Sequence, residues 1–390
     1  MALVTGAPIE LPPLVDHHCH GVVRRDLDLR SFEAFLSESA APAAPGTTFF
    51  DTQTGFAVRR WCPPLLGLEP HCPPERYLAR RRELGAAEAG RRLLRAARIG
   101  VYVVDTGLPG DLSTPAELAA AGNAVAHEIV RLERLGELTA DTCGTTDADS
   151  TAEATGTAGA AEAFVRDLAK AVRRAARTAV GFKSVAAYRH GLALAPEPPA
   201  AGEVARAAAH WLAGRRTGAR LTDPVLLRHL LWTAVGTGLP LQLHTGFGDP
   251  DLRLDQADPV LLTDFVRATA DTGTSLVLLH GYPYHRQAAY LANVFPHVHA
   301  DVGLALTHSG VRAGAVLAEF LELAPFGKLL FSTDAYGLPE LYAVGAEVFR
   351  DAVRRVVGGW VADGAWSQAD AQRVGAMIAA DNARRVYALE

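Results

Sequence analysis

Two histidines one residue apart, His18 and His20, stand in the run Asp16-His17-His18-Cys19-His20. If that run ends a β-strand, side chains two positions apart share a face, and both imidazoles can hold one divalent ion. Asp16, on the same face one step deeper, would accept a ring N–H and fix its tautomer. A chain with 14 histidines can show such a pair by chance. Three further residues argue against chance. His244 and His280 each close an apolar run, LPLQL and SLVLL, and Asp334 closes KLLFSTD just after Leu329, Leu330 and Phe331. A lone carboxylate is costly to bury there without a cation or a proton. A histidine pair, two single histidines and an aspartate, each ending a separate apolar run, make the donor set of a divalent-metal site. Lys183 ends another such run, GFKS, where a lysine needs a partner. It is one of three lysines, with Lys170 and Lys328, in a chain that otherwise uses Arg, which suggests that an amine is needed there.

These residues require a frame that brings strand ends together. Eight short β-rich runs alternate with longer Ala/Leu/Arg stretches of helical periodicity: Pro13–Cys19, Gly100–Thr106, Glu128–Glu133, Ala179–Ser184, Leu239–His244, Ser275–His280, His297–Val302 and Lys328–Asp334. That alternation is the α/β pattern of a parallel sheet with crossover helices, and eight repeats predict a (β/α)8 TIM barrel. All strand C-termini of such a barrel converge on one face, where its active sites lie. The gap between the first two runs, Leu29 to Arg98, is too long for an ordinary connection and predicts a helical insertion after the first strand. Its tail, Arg76–Arg98, reads as one amphipathic helix interrupted by Gly85. The insertion could be a packing cap, a lid over the site or a dimer contact. A second stretch, Asp141–Ala161, is rich in Thr, Ala, Gly and Asp and reads as a mobile loop after the third strand.

Composition narrows the class. With 390 residues, 49% hydrophobic and 21% charged, the chain can bury one large core, so residues 1–390 are expected to form one catalytic unit with its insertion at about 29–98. A net charge of −5 without long runs of one sign marks neither a nucleic-acid groove nor a membrane patch. The first residues lack the features of a secretory signal, and no apolar run approaches ~18 residues, so a cytoplasmic location is expected. Cys19, Cys62, Cys72 and Cys143 form no CxxC pair and read as free thiols. The glycines of GTGLPLQLHTGFG lack dinucleotide-site spacing. Asp105 and Asp301 could suggest carboxylate-only catalysis, but strands ending in histidine favour a metal.

Several stretches resemble the amidohydrolase superfamily: VDHHCH (Val15–His20), GFKSVAAYRHGL (Gly181–Leu192), LPLQLHTGFGDPDLRL (Leu239–Leu254), LVLLHGYPYHRQAAYLA (Leu276–Ala292) and LLFSTDAYGLPE (Leu329–Glu340). FDTQTGFAVRRWCPPLLGLEP (Phe50–Pro70) and EIVRLERLGE (Glu128–Glu137) extend the likeness over nearly the whole chain. The wording is similar to the metal-dependent hydrolase branch that stands alone in bacteria or precedes a glutamine synthetase domain in FluG and nodulin-like proteins. Because the sequence ends soon after the last strand, a stand-alone member is expected. The resemblance implies that His18, His20, His244 and Asp334 are metal ligands and that His280 is a second-metal ligand or a general acid. The metal would be zinc first, with manganese or iron as alternatives, as one or two ions. Such an ion brings a water's pKa toward ~7 and polarises a carbonyl, while Asp334 shuttles the proton to the leaving amine. In several branches the lysine in the place of Lys183 is carbamylated and bridges two metals. A free ammonium that binds a substrate carboxylate, or a structural lysine, are the other readings.

Candidates for substrate recognition follow the strands: Tyr188 and Arg189, Asp249 and Arg253, Tyr282 and Arg286, and Glu340. Arg189 is singled out as a bidentate carboxylate clamp. Glu133 could recognise an amine, although pairing with Arg131 is favoured. The expected function is hydrolysis of an amide or related C–N bond in a small-molecule substrate, with a γ-glutamyl amide as the guess from kinship. The alternatives are a metal-dependent decarboxylase and a non-catalytic regulatory module, and a homo-oligomer is left open.

Overall fold

A computed structural model describes residues 8–143 and 157–390. The Val- and Leu-rich runs form eight parallel strands: β1 (Leu14–Cys19), β2 (Ile99–Asp105), β3 (Val125–Arg131), β4 (Gly181–Ser184), β5 (Leu241–Thr245), β6 (Leu276–His280), β7 (Val298–Asp301) and β8 (Leu329–Leu330). They pair in sequence order. β8 keeps two residues in the regular ladder, yet the chain beyond it continues along β1. His17 N donates to Phe331 O at 3.2 Å, Asp334 N to His18 O at 3.0 Å and His20 N to Ala335 O at 2.9 Å. These bonds join the last strand to the first and complete the (β/α)8 barrel.

Strands covered on both faces need apolar residues at both parities, which is why β5 and β6 read as continuous runs. Val15, Val101, Val103, Ile129, Val277, Leu279 and Leu330 form an inner cluster with Ala380, Ala383 and Tyr387. Leu14, Leu241, Leu276 and Leu278 belong to the larger core under the helices. The C-terminal segment, a π-turn at Met377–Asp381 and a helix at Asn382–Tyr387, thus seals the floor of the barrel.

β1 breaks the alternation. Asp16 pairs with Tyr102 and Cys19 with Val104, so β1 carries one residue more than β2 over this stretch. The extra residue is a bulge. With it, both His17 and His18 reach groups of the barrel interior, Asp301 and Lys183 respectively. Asp16 accepts from Thr333 N and Oγ1 and from no imidazole, which corrects the tautomer-fixing role expected for it.

Other elements also differ from expectation. β3 ends at Arg131, and Glu133 lies in the first turn of the helix Leu132–Cys143. The insertion holds four helices, α1 (Leu29–Glu33), α2 (Gln53–Leu65), α3 (Pro74–Leu84) and α4 (Ala86–Ala96). Gly85, at φ 79° and ψ 151°, ends α3 and redirects the chain into α4, so Arg76–Arg98 is two helices. Most of the expected loop Asp141–Ala161 lies outside the described residues. Its ends belong to the helices Leu132–Cys143 and Thr157–Ala175. Cys19, Cys62 and Cys72 are buried and unpaired. Among the described residues no helix is long and apolar enough to cross a membrane.

Candidate metal centre

Where the strands end, a cavity of about 770 Å³ opens, with His20, Lys183, His244 and Asp334 among its walls. Asp334 gathers the histidines: its Oδ1 lies 3.1 Å from His18 Nε2 and 3.3 Å from His20 Nε2, and its Oδ2 lies 3.6 Å from His280 Nε2. Lys183 Nζ is 2.9 Å from His18 Nε2. The His280 ring centre is 4.7 Å from that of His244 and 5.7 Å from that of His18. Five separate strand ends therefore supply one cluster.

Two of these residues arrive on left-handed backbone, His280 at φ 67° and Asp334 at φ 49°. By strict alternation His280 would share the helix-facing side of Leu276 and Leu278, and the left-handed turn re-aims its ring into the mouth. Such backbone costs a non-glycine residue on the order of 1–3 kcal/mol and concentrates at functional sites.

The donor set suits a divalent cation. His18, His280 and Asp334 each offer an atom within 4.8 Å of the others, and His18, His20 and Asp105 form a second such group. In that second group Asp105 is committed elsewhere, accepting from Arg131 Nε at 3.0 Å, Arg131 Nη2 at 2.6 Å and Gly107 N at 2.8 Å. In the first, both ring nitrogens of His280, His18 Nδ1 and Asp334 Oδ1 are buried without a hydrogen-bond partner. Buried polar atoms are normally satisfied, so four orphans around one point mark a place where a ligand completes them. His20 Nδ1 lies 3.0 Å from Asp105 O, and donation there leaves Nε2 free to ligate.

Electrostatics gives these groups the protonation that ligands need. Burial, reinforced by Lys183, pushes the His18 imidazole down to about 3, and burial likewise holds His244 well below its usual value. Burial lowers the Lys183 amine as well. For Asp334, burial alone would raise the carboxyl, but His280 foremost, with His18 and His20, holds it well below the carboxylate range. At neutral pH the His18 and His244 imidazoles are therefore neutral beside an ionised Asp334.

Tyr188, Arg189 and Asp249 line the same cavity. The Tyr188 ring sits 4.5 Å from that of His244, and Gly248 leaves room for it, since a Cβ there would lie 1.9 Å from the Tyr188 hydroxyl and displace it. Arg189 Nη2 reaches Glu137 Oε1 at 3.2 Å, while its Nε is buried and unpartnered. Four other recognition candidates stand elsewhere. Glu340 is fully buried in the helix Pro339–Ala362, where it accepts from Arg81 Nε at 2.8 Å and Tyr77 Oη at 2.9 Å and so pins α3 to the barrel. Arg253 is exposed and pairs with Asp255 at 2.9 Å. Tyr282 is partly exposed and stacks on His285 at 5.4 Å. Arg286, also exposed, pairs with Glu322. Glu133 accepts from Ser184 Oγ at 2.6 Å and Val185 N at 3.0 Å, a structural role with partners other than Arg131.

Residues not anticipated also reach the cavity. Glu38, from the insertion, lies 3.7 Å from His308 Nε2. Burial first, then Asp334, lifts its carboxyl to about 7, and burial lowers His308 to about 4. Glu38 had no detectable signal, since its segment follows no periodicity. Asp301, noted in the HVHADV run as a possible catalytic carboxylate, does not line the cavity; the structure sets it beside His17 and His280.

The amidohydrolase family profile matches residues 108–389. The chain belongs to the amidohydrolase family. Over 223 residues this amidohydrolase is 35% identical to the protein fluG of Emericella nidulans, covering 54% of this chain and 26% of that protein. It thus spans about a quarter of that relative's length. A solved structure of a Lactobacillus casei protein assigned as a metal-dependent hydrolase matches 97% of this chain and 96% of its own, with a TM-score of 0.80 and 26% identity. Glucuronate isomerase from Caulobacter crescentus shares the fold, with a TM-score of 0.59, 15% identity and coverage of 98% and 92%. Family membership makes this chain an enzyme, and the reading as a non-catalytic module is set aside.

Proposed function

We propose that this amidohydrolase cleaves an amide or related C–N bond of a small polar substrate at the cluster of His18, His20, His244, His280 and Asp334. A γ-glutamyl amide or a similar glutamine-like compound is the first candidate. The reading is carried by buried His280, whose Nε2 lacks a hydrogen-bond partner 3.6 Å from Asp334 Oδ2 and whose ring neighbours those of His18 and His244. His18, His20, His244 and Asp334 would hold a divalent ion, zinc first with manganese or iron as alternatives. His280 either completes a second position or acts as a general acid, and Lys183 either bridges as a carbamate or serves as an ammonium. A bound ion of this kind supplies Lewis acidity and an acidified water near neutral pH. Asp334, held ionised, takes the proton of the attacking water and passes it to the leaving nitrogen. Arg189, with its unpartnered Nε, receives a substrate carboxylate, and Tyr188 and Asp249 bound the same space. The γ-glutamyl choice follows the resemblance to the branch joined to glutamine synthetase.

The test is turnover by metal-loaded enzyme of γ-glutamyl amides, N-acyl amino acids and aromatic carboxylates in 18O-labelled water. Label in the new carboxylate, lost on chelation and restored by metal, is the expected result. Carbon dioxide release without label would replace hydrolysis by decarboxylation.

A further inference from the structure

We infer that two buried carboxylates outside the donor set, Asp301 and Asp16, are positioning residues that hold the two left-handed members of the cluster, His280 and Asp334. The inference rests on the reading of His280 and Asp334 given above. Asp301, at the end of β7, accepts the His280 backbone N–H through Oδ2 at 3.0 Å, and the same oxygen lies 3.5 Å from His280 Nδ1. Its Oδ1 accepts from Gly303 N at 2.8 Å and Ser332 Oγ at 2.9 Å and lies 3.3 Å from His17 Nε2. One carboxylate thereby ties the end of β6 to the turn after β7, to the extension of β8 and to β1.

Asp16 treats Asp334 in the same way. Its Oδ1 accepts from Thr333 N at 2.8 Å and its Oδ2 from Thr333 Oγ1 at 2.5 Å. Thr333 Oγ1 in turn accepts from Ala335 N at 3.1 Å, so the residues on both sides of Asp334 are bracketed, while Asp334 N donates to His18 O at 3.0 Å. Both carboxylates are buried, and neither is among the residues that line the cavity. What they stabilise is a backbone that ordinary strand preference opposes. Without the Asp301 acceptor, His280 relaxes toward regular alternation, which turns its ring toward the core of Leu276 and Leu278. Without Asp16, the Thr333–Ala335 corner opens and Asp334 loses its fixed approach to three histidines.

The test uses the full chain loaded with cobalt(II). Its visible spectrum across pH reports both ligand geometry and a proton donor beside the ion, and chelator competition gives its affinity. Both variants keep shape: Asp301→Asn places an amide donor against a backbone N–H, and Asp16→Asn replaces the acceptor of the Thr333 hydroxyl with a donor. Each is expected to lower cobalt affinity about 10–100-fold and to alter the spectrum. Thr274→Val, which removes a buried hydroxyl bond to Val235 O far from the cluster, is expected to lower the melting temperature with an unchanged spectrum. If both aspartate variants melt lower but bind cobalt as the wild type does, they are merely structural and the inference fails. His280→Ala separates the two readings. A changed spectrum there with an unchanged one in Asp301→Asn overturns the positioning role alone, whereas an unchanged spectrum in His280→Ala overturns the role of His280 and the inference with it. Should Asp301→Asn not fold, Asp16→Asn carries the test by the same criteria.

Discussion

His17 and His18 are neighbours on β1 and both fully buried, yet they serve opposite ends of the barrel. His17 has a partner for each ring nitrogen, Tyr387 Oη at 3.2 Å and Asp301 Oδ1 at 3.3 Å. Around it the floor is closed by polar bonds: Gln242 Nε2 donates to Tyr387 Oη and His17 O, both at 2.8 Å, and Asn382 Nδ2 donates to Phe326 O and Leu329 O, both at 2.8 Å. Gln242 Oε1 is the exception among these groups. At the mouth, by contrast, His18 Nδ1, both His280 nitrogens, Asp334 Oδ1 and Arg189 Nε are left without partners. Burial is the same at the two ends, and satisfaction is not. A buried polar group with its bonds made is architecture; several unmade bonds gathered at one end of the barrel leave room for a ligand.

If that contrast is right, mouth substitutions should cost function and floor substitutions stability. The largest effect is expected at the mouth. His18→Ala or Asp334→Asn should lower turnover on the order of 10³-fold, about 4 kcal/mol of transition-state stabilisation, with the metal-free protein still folded by circular dichroism. Full activity in either variant, or in metal-free wild type, would contradict the contrast at its root. Lys183→Ala should also inactivate, by about 10²-fold or more. Metal analysis then divides its roles: two ions falling to one indicate a bridging carbamate, and one ion in both proteins indicates an ammonium that binds substrate. Glu340→Ala strands Arg81 in the core and should cost about 3–5 kcal/mol in denaturant unfolding, with KM unchanged. A raised KM there would restore the recognition role that the structure takes away. On the floor, Tyr387→Phe removes the hydroxyl shared by His17 and Gln242 and should cost about 1–3 kcal/mol with no change in metal content. Last, Arg253→Ala should stay within about 0.5 kcal/mol of wild type in stability and leave KM unmoved, since its ion pair is solvent-exposed.

Much of this was legible beforehand, for definite reasons. Parallel strands buried on both faces are mostly apolar, so a polar residue at the end of such a run stands out; His244, His280 and Asp334 were found that way, and His18 by its spacing from His20. Arg189, which follows β4, lines the cavity. The misreadings occur where alternation or sequence neighbourhood stops predicting direction. Asp16 was assigned to the face of His18, and the β1 bulge put it on Thr333. Glu340 follows β8 as a recognition residue would, but the helix it enters turns it onto Arg81 of α3, far away in sequence.

The sequence by itself therefore determined the period of the elements, the barrel and the kinds of donor at its strand ends, because local hydrophobic pattern and residue chemistry are written position by position. Which donors stay unsatisfied was decided by the tertiary structure. A hydrogen-bond partner such as Asp301 for His17, or Arg131 for Asp105, comes from another strand whose register no local pattern encodes. The same holds for the left-handed turns at His280 and Asp334: histidine and aspartate tolerate that backbone better than most residues but do not dictate it, and contacts made across β1, β7 and β8 hold it in place.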